Sequence, residues 1–122
     1  LFIRMDDDSN SAVWLYSHGI AAMALSEAYG MTQDPSLREP TQRALDFLIK
    51  SQNPDRGGWR YTPRVGTDTS VTGWVFMAMY SGKIAGLNVP EASFRRVESW
   101  LNLCQKSNAE RHLYRYNPFA PE

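Results

Sequence analysis

Hydrophobic residues recur along this chain at helical spacing, and their distribution predicts four helices of two kinds. The first runs from near Ser11 to Tyr29, with Asp8, Ser9 or Asn10 as its cap and Gly30 as its stop. The second spans Glu39 to Gln52, with Pro40 in the first turn, where a missing N–H costs little. Thr67, Asp68 or Thr69 caps the third, which carries Val71, Trp74, Val75 and Ala78 on one face and ends near Gly82. The fourth begins at about Pro90, lasts to Cys104 or Gln105, and buries Phe94, Val97, Leu101 and Cys104. No alternating strand of useful length occurs, so the expected class is all-α.

The second and fourth helices have one apolar stripe and a charged face. The first and third are small or apolar nearly all round, through residues 21–25 and 74–79. A helix that is apolar on every side needs burial on every side. The alternation therefore fits two concentric layers, with inner helices facing both an outer layer and a central space.

Between these helices the chain repeats itself. In the run 43–59, Arg43 and Ala44 are followed by Phe47, Leu48, Gln52, Gly57 and Trp59. Pro54 forbids continuation of the helix, and Gly57 and Gly58 permit a tight return. Gln52 carries a two-sided amide that can reach backbone groups left unpaired where one helix stops and another begins. Trp59 offers a large apolar face and one N–H. A weaker copy follows: Arg96, Trp100 and Leu101 keep the order, Gln105 stands where Gln52 stood, and residues 114–118 mirror 59–63. The period is about 54 residues, and the preceding helices align too, residues 19–25 with 73–79.

This pattern resembles the QW repeat of the squalene cyclase and protein prenyltransferase superfamily. The resemblance implies an α/α toroid, a ring of helical hairpins in which the Gln52, Gly57, Trp59 and Gln105 positions are structural staples. Residues 1–122 then form a fragment of one toroid domain, with hairpin repeats at about 9–63 and 67–118. A closed ring needs roughly five to seven such hairpins, or roughly 250 to 350 residues. The chain opens at Leu1 with no initiator methionine. The expectation is a partial ring, completed by the remainder of a longer chain or by another protomer.

Composition narrows the partners. A formal net charge of +0 and 43% hydrophobic residues leave neither a basic nucleic-acid footprint nor a disordered tract. No apolar run approaches the roughly 20 residues of a membrane span. The single cysteine, Cys104, excludes an internal disulfide framework and reads as a small core residue.

Candidate chemistry centres on the start of the third helix. Hopene-type cyclases place an Asp-x-Asp-Asp-Thr acid motif ahead of an inner helix, and Asp68 is the catalytic candidate that the resemblance offers. Gly66 and Thr69 stand where that motif would supply further carboxylates, and the plainer role of Asp68 is an N-cap to Ser70 or Val71. Prenyltransferases bind zinc through an Asp and a Cys two residues on; Ser70 replaces that cysteine, so zinc is not expected. The run Asp6-Asp7-Asp8 is superficially similar to a magnesium–diphosphate motif but reads as a solvated helix cap, so no metal site and no cofactor is assigned. His18 is a cavity-lining candidate or a hydrogen-bonded packing residue. His112 carries no pattern. Trp74 and Phe76 are candidates to line a cavity, where aromatic faces stabilise carbocations, while Trp59 and Trp100 pack.

Three functions are open on this reading. One is a non-catalytic toroid that binds a hydrophobic ligand such as an isoprenoid, or a protein, and it fits best because the fold signals are present and the catalytic ones are not. Another is part of a terpenoid cyclase-like enzyme acting on a polyisoprenoid, with its acid elsewhere, or of a prenyltransferase. The third, a thioester domain, lacks its Cys-Gly-Glu-Gln sequence.

Overall fold

The computed structural model describes residues 14–105 and 113–119. Four helices occur among them: α1 (Trp14–Thr32), α2 (Pro35–Ser51), α3 (Thr69–Ile84) and α4 (Glu91–Cys104). No strand longer than an isolated bridge is present among the described residues.

Helix ends show which sequence signals prevailed. The caps foreseen for α1 at Asp8, Ser9 or Asn10 lie outside the described residues. Gly30 does not stop α1, which continues to Thr32; Gln33 takes the left-handed turn at φ 51 and donates its N–H to the Tyr29 carbonyl at 2.8 Å. Nor does α3 end near Gly82. It closes beyond Ile84 through Gly86, at φ 87, with Gly86 N–H on Lys83 O and Leu87 N–H on Gly82 O. Both glycines serve close packing instead. A methyl on Gly30 would press on Ala85 at 3.3 Å, and one on Gly82 would collide with Leu45.

α2 starts earlier than Pro40 predicts. Asp34 caps it, its Oδ1 accepting from Ser36 N at 2.9 Å, and Pro35 takes the first helical position. That cap-and-proline pair outweighs the second proline, which the helix accommodates inside. α3 is capped by Asp68, and α4 runs from Pro90 to a cap at Gln105.

α1 packs along α3, α2 lies against both, and α4 lies against α3. The two-residue link Gln33-Asp34 turns α2 back against α1. The Tyr16 hydroxyl bonds Ser70, Gly19 meets Trp74 and Val75, and Gly30 meets Ala85, so partner numbers rise together and α1 and α3 run parallel. The core joins Leu15 and Ala22 of α1, Leu45 and Leu48 of α2, Val71, Val75 and Met79 of α3, and Val97 of α4. On α4, Val97, Trp100 and Cys104 are buried, whereas Phe94 and Leu101 are half-buried. The all-round burial foreseen for the apolar helices is not reached: Ile20 and Met31 on α1, and Met77, Tyr80 and Ile84 on α3, stand exposed.

Candidate functional site

The loop between α2 and α3 is built around two amides and an indole. Gln52 caps α2 and its Nε2 donates to Gly57 O at 2.7 Å and to Ser93 O at 3.0 Å, tying the end of α2 to the first turn of α4. Trp59 is buried, and its indole N–H donates to Leu48 O at 2.8 Å, satisfying a carbonyl of the last turn of α2. Asn53, which sequence reasoning passed over, organises the turn: its Oδ1 accepts from the backbone N–H of Asp55 and Arg56, and its Nδ2 reaches Arg64 O. Gly57 sits at φ 80, where a methyl would strike the Arg96 carbonyl.

The loop returns to the start of α3 at Asp68. Its N–H donates to Trp59 O at 2.9 Å, and Oδ1 accepts from Val71 N at 2.8 Å, so the carboxylate is the helix cap. Oδ2 is buried, lies 3.6 Å from Arg60 Nε and makes no hydrogen bond of ordinary geometry. Desolvation, the Tyr61 hydroxyl at 3.0 Å and the nearby Asp68 carboxylate together keep the Tyr116 phenol protonated well above its usual range. Ser70 accepts the Tyr16 hydroxyl hydrogen bond. No group of three or more His, Cys, Asp or Glu that could hold a metal ion occurs among the described residues, and Asp6, Asp7, Asp8 and His112 lie outside them.

One kind of backbone contact occurs twice along the chain. Leu15 N donates to Tyr61 O at 3.2 Å, and Thr69 N donates to Tyr116 O at 2.9 Å. Positions 15 and 69 lie 54 residues apart, and 61 and 116 lie 55 apart, close to the spacing expected from the sequence. Gln105 caps α4 as Gln52 caps α2, and its backbone bridges to Tyr114; Tyr114 is 50% exposed where Trp59 is 1% exposed.

The remaining candidates fall in different places. His18 is fully buried in the seam between α1 and α2, with Nε2 3.1 Å from Ala44 O and its ring 4.7 Å from that of Phe47, so it lines no open cavity. Burial lowers its pKa, partly offset by the Ala44 carbonyl. Phe76 turns toward α4, edge-on to Phe94 at 6.0 Å. Trp74 alone of the three is on open surface, beside Ser70, Gly73 and Met77 in a shallow apolar hollow of about 360 Å³. A second groove of about 330 Å³ follows the α1–α3 seam past Ser26, Gly30, Ser81 and Ala85. Periodicity alone did not show this face, because it separates apolar from polar positions but not covered from bare ones.

No family model, curated protein or solved structure matches this chain. Among the described residues no helix is long and apolar enough to cross a membrane.

Proposed function

We propose that this chain is a two-hairpin segment of an α/α toroid of the squalene cyclase and prenyltransferase kind, acting as a non-catalytic scaffold. Its exposed α1–α3 face holds a hydrophobic ligand or a protein partner. The observation that carries this reading is the engagement of Asp68. An acid that protonates an alkene needs a neutral carboxyl presented to substrate, and here one oxygen caps α3 while the other lies buried beside Arg60. The repeated backbone contact at Leu15 and Thr69, one period apart, supports the hairpin repeat.

The test is incubation with squalene or a prenyl diphosphate at mildly acidic pH, with and without Mg²⁺, analysed for cyclised or transferred product. None is expected. The same apolar compounds should instead shift tryptophan emission, and Trp74→Phe should remove the part of the shift that arises in this hollow, because Trp59 and Trp100 are buried and Trp14, half-buried at the start of α1, is left as the internal control. Product formation would overturn the scaffold reading in favour of a terpenoid cyclase-like segment.

A further inference from the structure

The seam between α1 and α3 is one copy of a contact whose two halves are each present a second time and uncovered. Inside the chain, Gly19 is covered by Trp74 Cβ and Val75 Cγ2, 3.6 and 3.4 Å from a methyl placed there, and Gly30 is covered by Ala85. One repeat of about 54 residues on, positions 19, 26 and 30 become Gly73, Tyr80 and Ile84. A methyl on Gly73 meets nothing within 4 Å, and Tyr80 and Ile84 are 51% and 71% exposed. The front of α3 is thus the bare counterpart of the α1 front that α3 covers.

The reverse holds for the back of α1. The α3 residues that cover α1, Trp74 and Ala85, correspond one repeat earlier to Ile20 and Met31, which are 41% and 87% exposed. Ile20 on α1 and Gly73 on α3 are therefore the bare donor and acceptor positions of an interface that this chain already forms with itself, while Met31 and Ile84 at the far end line one shared groove. A parallel two-fold pairing of α3 with α3 would set Tyr80 against Tyr80 and Ile84 against Ile84 and leave both Gly73 notches empty. A head-to-tail contact instead places Ile20 over Gly73, as Trp74 lies over Gly19.

We infer that the exposed front of α3 is a docking surface for the back of α1 of a second copy of this chain. This names the partner for the face described under the proposed function and rests on the same hairpin-repeat reading. The seam is tight at Gly73. It opens at the far end, where Ile84 and Met31 stand in place of Gly30 and Ala85. Because the contact is heterologous, each added copy leaves one front and one back free, so assembly continues beyond two unless the rotation closes a ring.

Sedimentation velocity on the full chain over a wide concentration range tests this, with Met77→Glu blocking the front and Ile20→Glu blocking the back. Both side chains are on the surface, and helical circular dichroism checks that each variant folds. The parent chain should show a sedimentation coefficient that rises with concentration. Each variant alone should remain monomeric, and an equimolar mixture should form a 1:1 dimer, since each supplies the face the other lacks. A parent chain that stays monomeric, a mixture that stays monomeric, or association abolished by Met77→Glu but untouched by Ile20→Glu would each overturn the inference. A parent chain that stays monomeric while its Trp74 ligand shift is intact would sink this inference alone; cyclised product would sink the scaffold reading whatever the sedimentation shows.

Discussion

At Asp68 one carboxyl group is divided between two neighbours, and substitution can separate them. Asp68→Asn keeps an oxygen for the Val71 amide and removes the charge near Arg60, whereas Asp68→Ala removes both. The alanine variant should lose about 1–2 kcal/mol in urea denaturation, the usual effect of deleting a helix cap, and the asparagine variant clearly less. Equal losses would mean that the ion pair, not the cap, is what stabilises the start of α3. His18 makes a prediction in pH. Its folded pKa lies below the ordinary 6.5, so between those two values the unfolded chain binds more protons. Stability should be full above about 6.5, fall as pH drops below it, and level off beneath the folded pKa. His18→Asn should flatten that limb in melts from pH 7.5 to 5. An unchanged limb would exclude His18 as its source.

Among the elements, the glycines of α1 and α3 divide into filled and open notches. Gly82 is filled by the Leu45 side chain, so Gly82→Ala should force repacking of a buried leucine and cost about 1–3 kcal/mol. Gly73 is open, so Gly73→Ala should stabilise the monomer by up to about 1 kcal/mol through helix propensity alone. Thermal melts at low protein concentration compare the two; the same sign for both would contradict the packing described here. The structure also shows why sequence punctuation misplaced two helix ends. A glycine inside a helical pattern reads equally as a stop or as a close approach, and only the neighbour, Ala85 at Gly30 and Leu45 at Gly82, separates the two meanings.

At the scale of the whole molecule, two of the ion pairs among the described residues lie at the surface, where each contributes little. Formal net charge is +0, and the Glu39–Arg43 and Lys83–Glu91 pairs lie on exposed side chains. Raising salt from 0.05 to 0.5 M should therefore change unfolding free energy by less than about 1 kcal/mol, measured in parallel urea titrations. A larger change would point to the partly buried Arg60–Asp68 pair as a major contributor. Stability rests instead on the apolar contacts of α1, α2 and α3 and on polar side chains that bind backbone across elements. Gln42 is an example: its amide both donates to Asn88 O and accepts from Asn88 N, joining α2 to the link before α4.

By itself the sequence determined the four helices, a cap for α3 at Asp68 or a neighbouring threonine, and the contrast between striped and uniformly apolar helices. All of these are local or periodic, and period and capping chemistry are written in neighbouring residues. Tertiary structure alone decided that Gly30 and Gly82 are notches, that His18 is sealed against α2, that Phe76 turns to α4 while Trp74 stays in the open, and that Gln42 clamps Asn88. Each of these depends on which distant surface arrives beside the residue. The uniformly apolar helices mark where that distinction matters most. Their composition specifies that every side should be covered, but only the packed chain shows which sides are, and leaves the front of α3 and the back of α1 bare.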